Sequence, residues 1–227
     1  NSIAELIVLQ ENHSPNAVAG HSLGEFSSLV ANNTISFEDG LKLVFLRAKA
    51  MQKSCENSNG TMAAILGLDD KIIKETCESF DGNVTAANFN CPGQVVISGE
   101  SNAVKMICEK FNEIGARRSI LLPVGGAFHS NLMNDAKSEL KEAIHKTKFN
   151  NPTCPIYQNF TAQKTTSIDI IKQNLINQLT SPVLWTQTIN NMVNDGYLDY
   201  TEVGPGKVLQ GLIKKVNREV STESALG

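Results

Sequence analysis

The pentapeptide Gly20-His21-Ser22-Leu23-Gly24 fits the G-x-S-x-G pattern of a serine nucleophile, and its surroundings are those the pattern needs. Ala17-Val18-Ala19-Gly20 reads as a short buried strand, and Leu23, Phe26, Leu29 and Val30 follow at helical spacing. A strand that turns directly into a helix leaves no room for side chains beside the turn, which gives a reason for glycine on both sides of the serine. Ser22 then stands at the carboxyl edge of the sheet, where open α/β folds place their sites. The N–H of Leu23, at the start of the new helix, points to where an oxyanion would form. The chemistry this predicts is acyl transfer through an acyl-serine.

A serine hydroxyl needs a base, and the chain offers His13, His21, His129 and His145. His21 follows strand geometry and points away from its neighbour Ser22, His13 lies in a polar turn, and His145 sits beside Lys146 at a helix end. His129 follows a strand and Gly125-Gly126, and directly precedes Ser130, a helix N-cap candidate. A helix N-terminus disfavours imidazolium and keeps the ring ready to accept a proton. His129 is the expected base, with a capping or core histidine as the alternative. A hydrolase of this kind places an Asp or Glu between serine and histidine in chain order. The acids in that interval, from Glu25 to Glu113, all fall in helices or in the caps and turns beside them. A serine–histidine dyad, its imidazole held by a backbone carbonyl or amide, fits better than a triad.

Arg47 carries the second signal. Its helical neighbours Leu43, Val44, Ala50 and Met51 are all apolar, so it falls on the buried face, whereas Lys42 and Lys49 have polar or charged neighbours. A buried guanidinium costs several kcal/mol unless an anion meets it. The anion is either a structural carboxylate or the carboxylate of a substrate gripped by a bidentate fork. A serine that takes an acyl group beside an arginine that takes a carboxylate points to an acyl chain with a free acid at its far end.

The elements that must position these residues suit one α/β unit, or one large and one small lobe, within 227 residues. Hydrophobic residues at 41% and charged residues at 19% exclude disorder, and a net charge of −3 argues against a surface that tracks nucleic acid. The apolar runs, such as Ile120 to Val124, are too short to cross a bilayer, and no secretory signal opens the chain. No C-x-x-C pair exists among five scattered cysteines, so free thiols in a reducing compartment are expected rather than a metal or redox site.

Helical spacing is read over Ile3 to Leu9, from Ser36 to about Ser54, and from Ser130 to about His145. Between them, Met62–Leu66, a helix over Asp70–Phe80, Asn83–Asn88, Gln94–Ser98, a helix over Ser101–Ile114 and Arg117–Val124 give the order βαββαβ, a ferredoxin-like unit. Further on come strands over Pro155–Phe160 and Tyr197–Val203, with helices near 167–179, 185–195 and up to Asn217. The expected fold is α/β: a hydrolase-like, mostly parallel sheet with helices on both faces, formed by residues 1–57 and 127–227, and an inserted ferredoxin-like lobe over 58–126.

Six ordered motifs resemble those of malonyl-CoA:acyl carrier protein transacylases and of the acyltransferase domains of polyketide and fatty acid synthases. They are Gly20 to Glu25, Arg47 to Met51, Asn88 to Gly99, Gly126 to Ser130, Gln178 with Pro182 and Trp185, and Glu202 to Leu209. The resemblance implies Ser22 as nucleophile, His129 as base and Arg47 as the grip on a malonyl carboxylate, with Gln178 orienting His129 through its main-chain carbonyl. It implies Leu23 as an oxyanion donor, and His21, Met51, Asn90 and Phe128 as pocket residues, Phe128 leaving little room for a 2-methyl branch. It also implies transfer from malonyl-CoA to the phosphopantetheine thiol of an acidic acyl carrier protein in fatty acid biosynthesis. The protein would be a monomer in the cytoplasm or a plastid-type organelle. No cofactor is expected, since coenzyme A is part of the substrate and the phosphopantetheine belongs to the partner. Arg117, Arg118, Lys207, Lys214, Lys215 and Arg218 are candidate docking cations, against the reading of ordinary solvated charges. The family's N-terminal Gly-Gln-Gly segment has no match before Ser22, so the chain is expected to lack an N-terminal portion and a second oxyanion donor. Two other readings stay open: a serine thioesterase or esterase, which would not need Arg47, and an inactive homologue that binds carrier protein.

Overall fold

The computed structural model describes residues 2, 3, 5 and 14–225. Ser2, Ile3 and Glu5 are helical; the rest of the segment read over Ile3 to Leu9, and His13, lie outside the described residues.

Strand β1 (Val18–Ala19) runs into helix α1 (Leu23–Ala31), followed by α2 (Phe37–Glu56). Ser36 caps α2 by accepting the Asp39 N–H at 3.0 Å. Next come β2 (Gly60–Leu66), α3 (Asp70–Ser79), β3 (Val84–Cys91), β4 (Gln94–Glu100), α4 (Ser101–Glu113) and β5 (Arg118–Leu121). A 3₁₀ turn capped by Ser130 then leads into α5 (Asn134–Lys146). The remainder is β6 (Ile156–Tyr157), β7 (Lys164–Thr165), α6 (Ile168–Gln178), α7 (Trp185–Asn194), β8 (Asp199–Glu202), α8 (Val208–Val216) and β9 (Ser221–Ser224).

The strands between α2 and α5 form an antiparallel sheet in the order β3-β4-β2-β5, the ferredoxin-like arrangement. Strand alternation sorts its side chains. Ala63, Ile65, Val95 and Ile97 pack against Ile73 and Cys77 of α3 and Val104, Ile107 and Phe111 of α4. Met62 and Val96 face the other way, toward Leu122 and Phe128. The sheet is thus covered by helices on one face and roofs a cavity with the other.

Elsewhere β1 pairs with β6 and β8 with β9, both in parallel, while β6 pairs with β7 antiparallel. Phe26 and Leu29 of α1, Leu43 and Ala50 of α2, Leu140 and Ile144 of α5 and Leu175 of α6 close one core around Ile156. A second forms where Trp185 and Ile189 of α7 and Leu212 of α8 meet Tyr157.

Three strands end sooner than apolar patterning suggests. β5 stops at Leu121, two residues before Pro123, which has no N–H to give a ladder. β6 keeps only Ile156–Tyr157, because the next two residues, Gln158 and Asn159, spend their polar groups on the site. β8 is confined to Asp199–Glu202 by its partner β9.

Candidate active site

The turn between β1 and α1 decides where Ser22 stands. A Cβ on Gly20 would lie 2.1 Å from the Gly24 carbonyl carbon and oxygen and 2.5 Å from Glu25 N, whereas one on Gly24 would meet nothing within 4 Å. The steric demand expected at both glycines therefore falls on Gly20 alone. We expect Gly20→Ala to destabilise the fold by about 3 kcal/mol or more, since backbone atoms cannot move aside. Gly24→Ala, inside a helix, should be neutral or stabilising by about 0.5–1 kcal/mol. Denaturant midpoints of the two variants check both.

Ser22 itself sits at φ 51° and ψ −104°, and its Oγ is the meeting point of two other segments. His129 Nε2 lies 2.8 Å away, and Arg47 donates to the same oxygen from Nη2 at 2.9 Å. His129 Nδ1 is 2.9 Å from the Gln178 main-chain oxygen. A carbonyl can only accept, so Nδ1 carries the proton and Nε2 presents its lone pair to the Ser22 hydroxyl. No carboxylate touches the ring among the described residues.

His129 is 4% exposed, and burial pushes its pKa down to about 4, with the bond to the Gln178 carbonyl opposing and the charge of Arg47 reinforcing the shift. A base works unprotonated, so a lowered pKa keeps it competent at lower pH. The acid limb of kcat/KM should therefore fall near pH 4 rather than near the free-imidazole value of about 6.5. A limb at the free-imidazole value in a pH–rate profile would contradict this assignment of the base.

Arg47 is 6% exposed, and among the described residues it has no ion-pair partner and no hydrogen bond at Nε. Burial lowers its pKa to about 10, still charged at neutral pH, with Glu25 acting the other way. Its guanidinium carbon lies 5.7 Å from the Phe26 ring centroid, a cation–π contact that orients the fork.

These groups open into a cavity of about 370 Å³. His21, Met51, Asn90 and Phe128 line it with Ser22, Arg47 and His129, and Met62, Val96 and Leu122 of the small sheet supply an apolar wall. His21 turns away from Ser22 and bonds Asn90 Oδ1 through Nε2 at 2.8 Å; burial lowers its pKa. Leu23 is half-exposed, with its N–H in the first turn of α1, where helical donors lack intrahelical partners.

Four further residues belong to the site. Glu25 is wholly buried and accepts from Gln158 Nε2 at 3.0 Å, Asn159 N at 2.9 Å and Gln178 Nε2 at 3.1 Å. Asn159 holds Gly20 and Ser22, and Asn88 lines the cavity with a buried, unpartnered Oδ1. Glu25 carries only a faint form of the signal that found Arg47, because among its helical neighbours His21, Ser22, Ser28 and Leu29 only Leu29 is apolar. Gln158 and Asn159 interrupt an apolar strand, a weaker sign. The candidate docking cations Arg117, Arg118, Lys207, Lys214, Lys215 and Arg218 are all exposed and outside the cavity.

Comparison with known proteins agrees with this architecture. The family described as Acyl transferase domain matches residues 3–227. A malonyl CoA-acyl carrier protein transacylase of Bacillus subtilis is 43% identical over 225 residues, 97% of this chain and 71% of that protein. The protein of the same name from Staphylococcus aureus is 40% identical over 222 residues, 96% of this chain and 72% of the other. Among solved structures, a malonyl-transacylase in complex with its type II PKS acyl-carrier protein superposes with a TM-score of 0.94 at 36% identity, covering 98% of this chain and 74% of that one.

Proposed function

The chain belongs to the acyl transferase domain family, and from that premise we propose that it transfers a malonyl group from coenzyme A to the phosphopantetheine thiol of acyl carrier protein, in fatty acid biosynthesis. The observation that carries the reading is the pair of contacts on one oxygen: a buried base and a buried, uncommitted guanidinium both reach Ser22 Oγ. Malonate carries its acid one methylene from the thioester carbonyl, so a carboxylate fork for it belongs beside the nucleophile, as Arg47 is.

His129 Nε2 takes the proton from Ser22 Oγ as the oxygen attacks the thioester carbonyl. The oxyanion forms at the Leu23 N–H. Collapse breaks the carbon–sulfur bond, and His129 returns its proton to the leaving coenzyme A thiolate. The carrier thiol then gives its proton to His129, attacks the malonyl ester, and Ser22 Oγ is reprotonated as it leaves. The Gln178 carbonyl keeps His129 in the tautomer both halves need. Met51, Phe128 and the small-sheet wall keep water from the ester, which favours transfer over hydrolysis. Phe128 also leaves little room for a branched acyl group.

The same proposal divides the chain into a catalytic lobe, residues 1–57 and 127–227, and a small lobe over 58–126. It takes the carrier to be acidic and the exposed cations at Arg117–Arg118 and around α8 to be where it docks, with the enzyme a monomer. Among the described residues no helix is long and apolar enough to cross a membrane, and the proposed location is the cytoplasm or a plastid-type organelle. Incubation with malonyl-CoA, followed by intact mass and peptide mapping, should find a malonyl ester on Ser22 that holo-carrier protein discharges. No adduct, or discharge to water at the same rate without carrier, would overturn the reading.

A further inference from the structure

The backbone ladder between β1 and β6 runs Val18↔Ile156 and Ala19↔Tyr157, then stops. Carried on in the same register, His21 would face Asn159. A parallel ladder around His21 needs a donor for the Gly20 carbonyl and an acceptor for the Ser22 N–H. Both are present, and both come from one side chain. Asn159 Nδ2 donates to Gly20 O at 2.7 Å, and the Ser22 N–H donates to Asn159 Oδ1 at 2.6 Å. The backbone N–H of Asn159 is turned instead to the Glu25 carboxylate at 2.9 Å. Asn159 and Glu25 are both 0% exposed, which keeps bulk solvent away from these bonds.

Ser22 requires such a hold. A positive φ with ψ near −104° is a sparsely populated backbone state for a residue with a Cβ, and it persists only where neighbours over-determine it. On the carbonyl side, Ser22 O accepts from Gln178 Nε2 at 3.1 Å and from Glu25 N at 3.1 Å. On the N–H side, among the described residues, Asn159 alone holds it.

We infer that Asn159 is a positioning residue for acyl transfer: its side-chain amide extends the β1–β6 ladder past the backbone's own end and locks Ser22 with Oγ between His129 and Arg47. The inference rests on Ser22 being the nucleophile, as proposed above. Glu25 ties this clamp to the rest of the site, because the carboxylate that takes the Asn159 N–H also takes the side chain of Gln178, whose carbonyl holds His129.

The residue type follows from the two bonds. An uncharged amide offers a donor and an acceptor in one fork. Aspartate has the same shape, but ionised it only accepts, and one oxygen would face the Gly20 carbonyl. Protonated, it again offers one O–H and one C=O, and burial favours that neutral form. Asn159→Asp should therefore be rescued by acid, and Asn159→Ala should not.

The test is the rate at which malonyl-CoA acylates Ser22, followed by intact mass across pH and scored on the folded fraction by circular dichroism. At about pH 8 both variants should acylate roughly 10²-fold more slowly than wild type, as expected for a small misplacement of a reacting atom. Half-saturation with malonyl-CoA should stay within about threefold, because the Arg47 fork is untouched. Toward about pH 5 the Asp variant should regain roughly tenfold relative to the Ala variant. Rates within about threefold of wild type in both variants, or the same pH profile for Asp and Ala, would overturn the inference. Should Asn159→Asp not fold, the rate and half-saturation of Asn159→Ala decide. A wild-type protein that takes no label on Ser22 would remove the nucleophile assignment and this inference together; labelled wild type with unaffected variants removes this inference alone.

Discussion

Ser22→Ala should lower malonyl transfer by about 10⁴-fold or more in kcat and abolish the malonyl-enzyme adduct, while binding of malonyl-CoA should change by only a few-fold. The size of the loss follows from the covalent route. Without Oγ, the carrier thiol must attack the thioester directly, His129 has no serine proton to take, and the reaction is no longer divided into two easier steps. The substrate should still bind, because Arg47 and the cavity walls are retained. The fold should also survive, since the bonds that hold residue 22 use its backbone: N–H to Asn159, and C=O from Gln178 and Glu25. Steady-state rates with holo-carrier protein, paired with equilibrium binding of malonyl-CoA, separate the two effects. A variant within tenfold of wild type would place the nucleophile elsewhere.

The parts of this site that were legible in sequence are those that act through local chemistry. Ser22 announces itself by the strand-turn-helix around it, and Arg47 by four apolar neighbours on one helix face. His129 is marked by its place between a strand and the Ser130 cap, and its Oγ–Nε2 contact with Ser22 is one that position permits. The same logic does not reach Glu25, whose helical neighbours are His21, Ser22, Ser28 and Leu29; its burial comes from Gln158, Asn159 and Gln178, which are distant in sequence. Gln178 was reached only through resemblance, because it acts through a carbonyl that every residue possesses. Asn159 was hidden for a different reason: its role exists only in the register between β1 and β6, strands far apart in the chain. The fold divides in the same way. The βαββαβ segment alternates locally and reads clearly, whereas β7 (Lys164–Thr165) and β9 (Ser221–Ser224) are short, polar strands defined by their partners.

Arg47→Ala should lower kcat/KM for malonyl-CoA by about 10²–10³, and that for an uncharged acyl-CoA of similar size by tenfold or less. Two effects set the two substrates apart. The first is direct: a buried guanidinium with no ion-pair partner among the described residues gains a carboxylate that replaces its lost hydration. The second passes through His129. The charge of Arg47 helps push the His129 pKa down, and the imidazolium that forms during acylation stands beside that charge. A bound malonyl carboxylate screens it and eases proton transfer, an aid an uncharged acyl group cannot give. Removing the guanidinium therefore costs malonyl its grip with no repulsion left to relieve, since the carboxylate already screened that charge, while for the uncharged substrate it relieves a repulsion as well as opening the cavity. Loss of the arginine should leave Glu25 in place, because its carboxylate remains held by three neutral donors and the charge of Arg47 is the smallest of the influences on it. Arg47→Lys should restore only part of the malonyl rate, since an ammonium keeps the charge but not the two-point fork. Competition between malonyl-CoA and an uncharged acyl-CoA, read as the ratio of the two Ser22 adducts by mass, measures the preference directly. An unchanged ratio in Arg47→Ala would sink the carboxylate clamp and leave Arg47 as a partner of Ser22 Oγ alone.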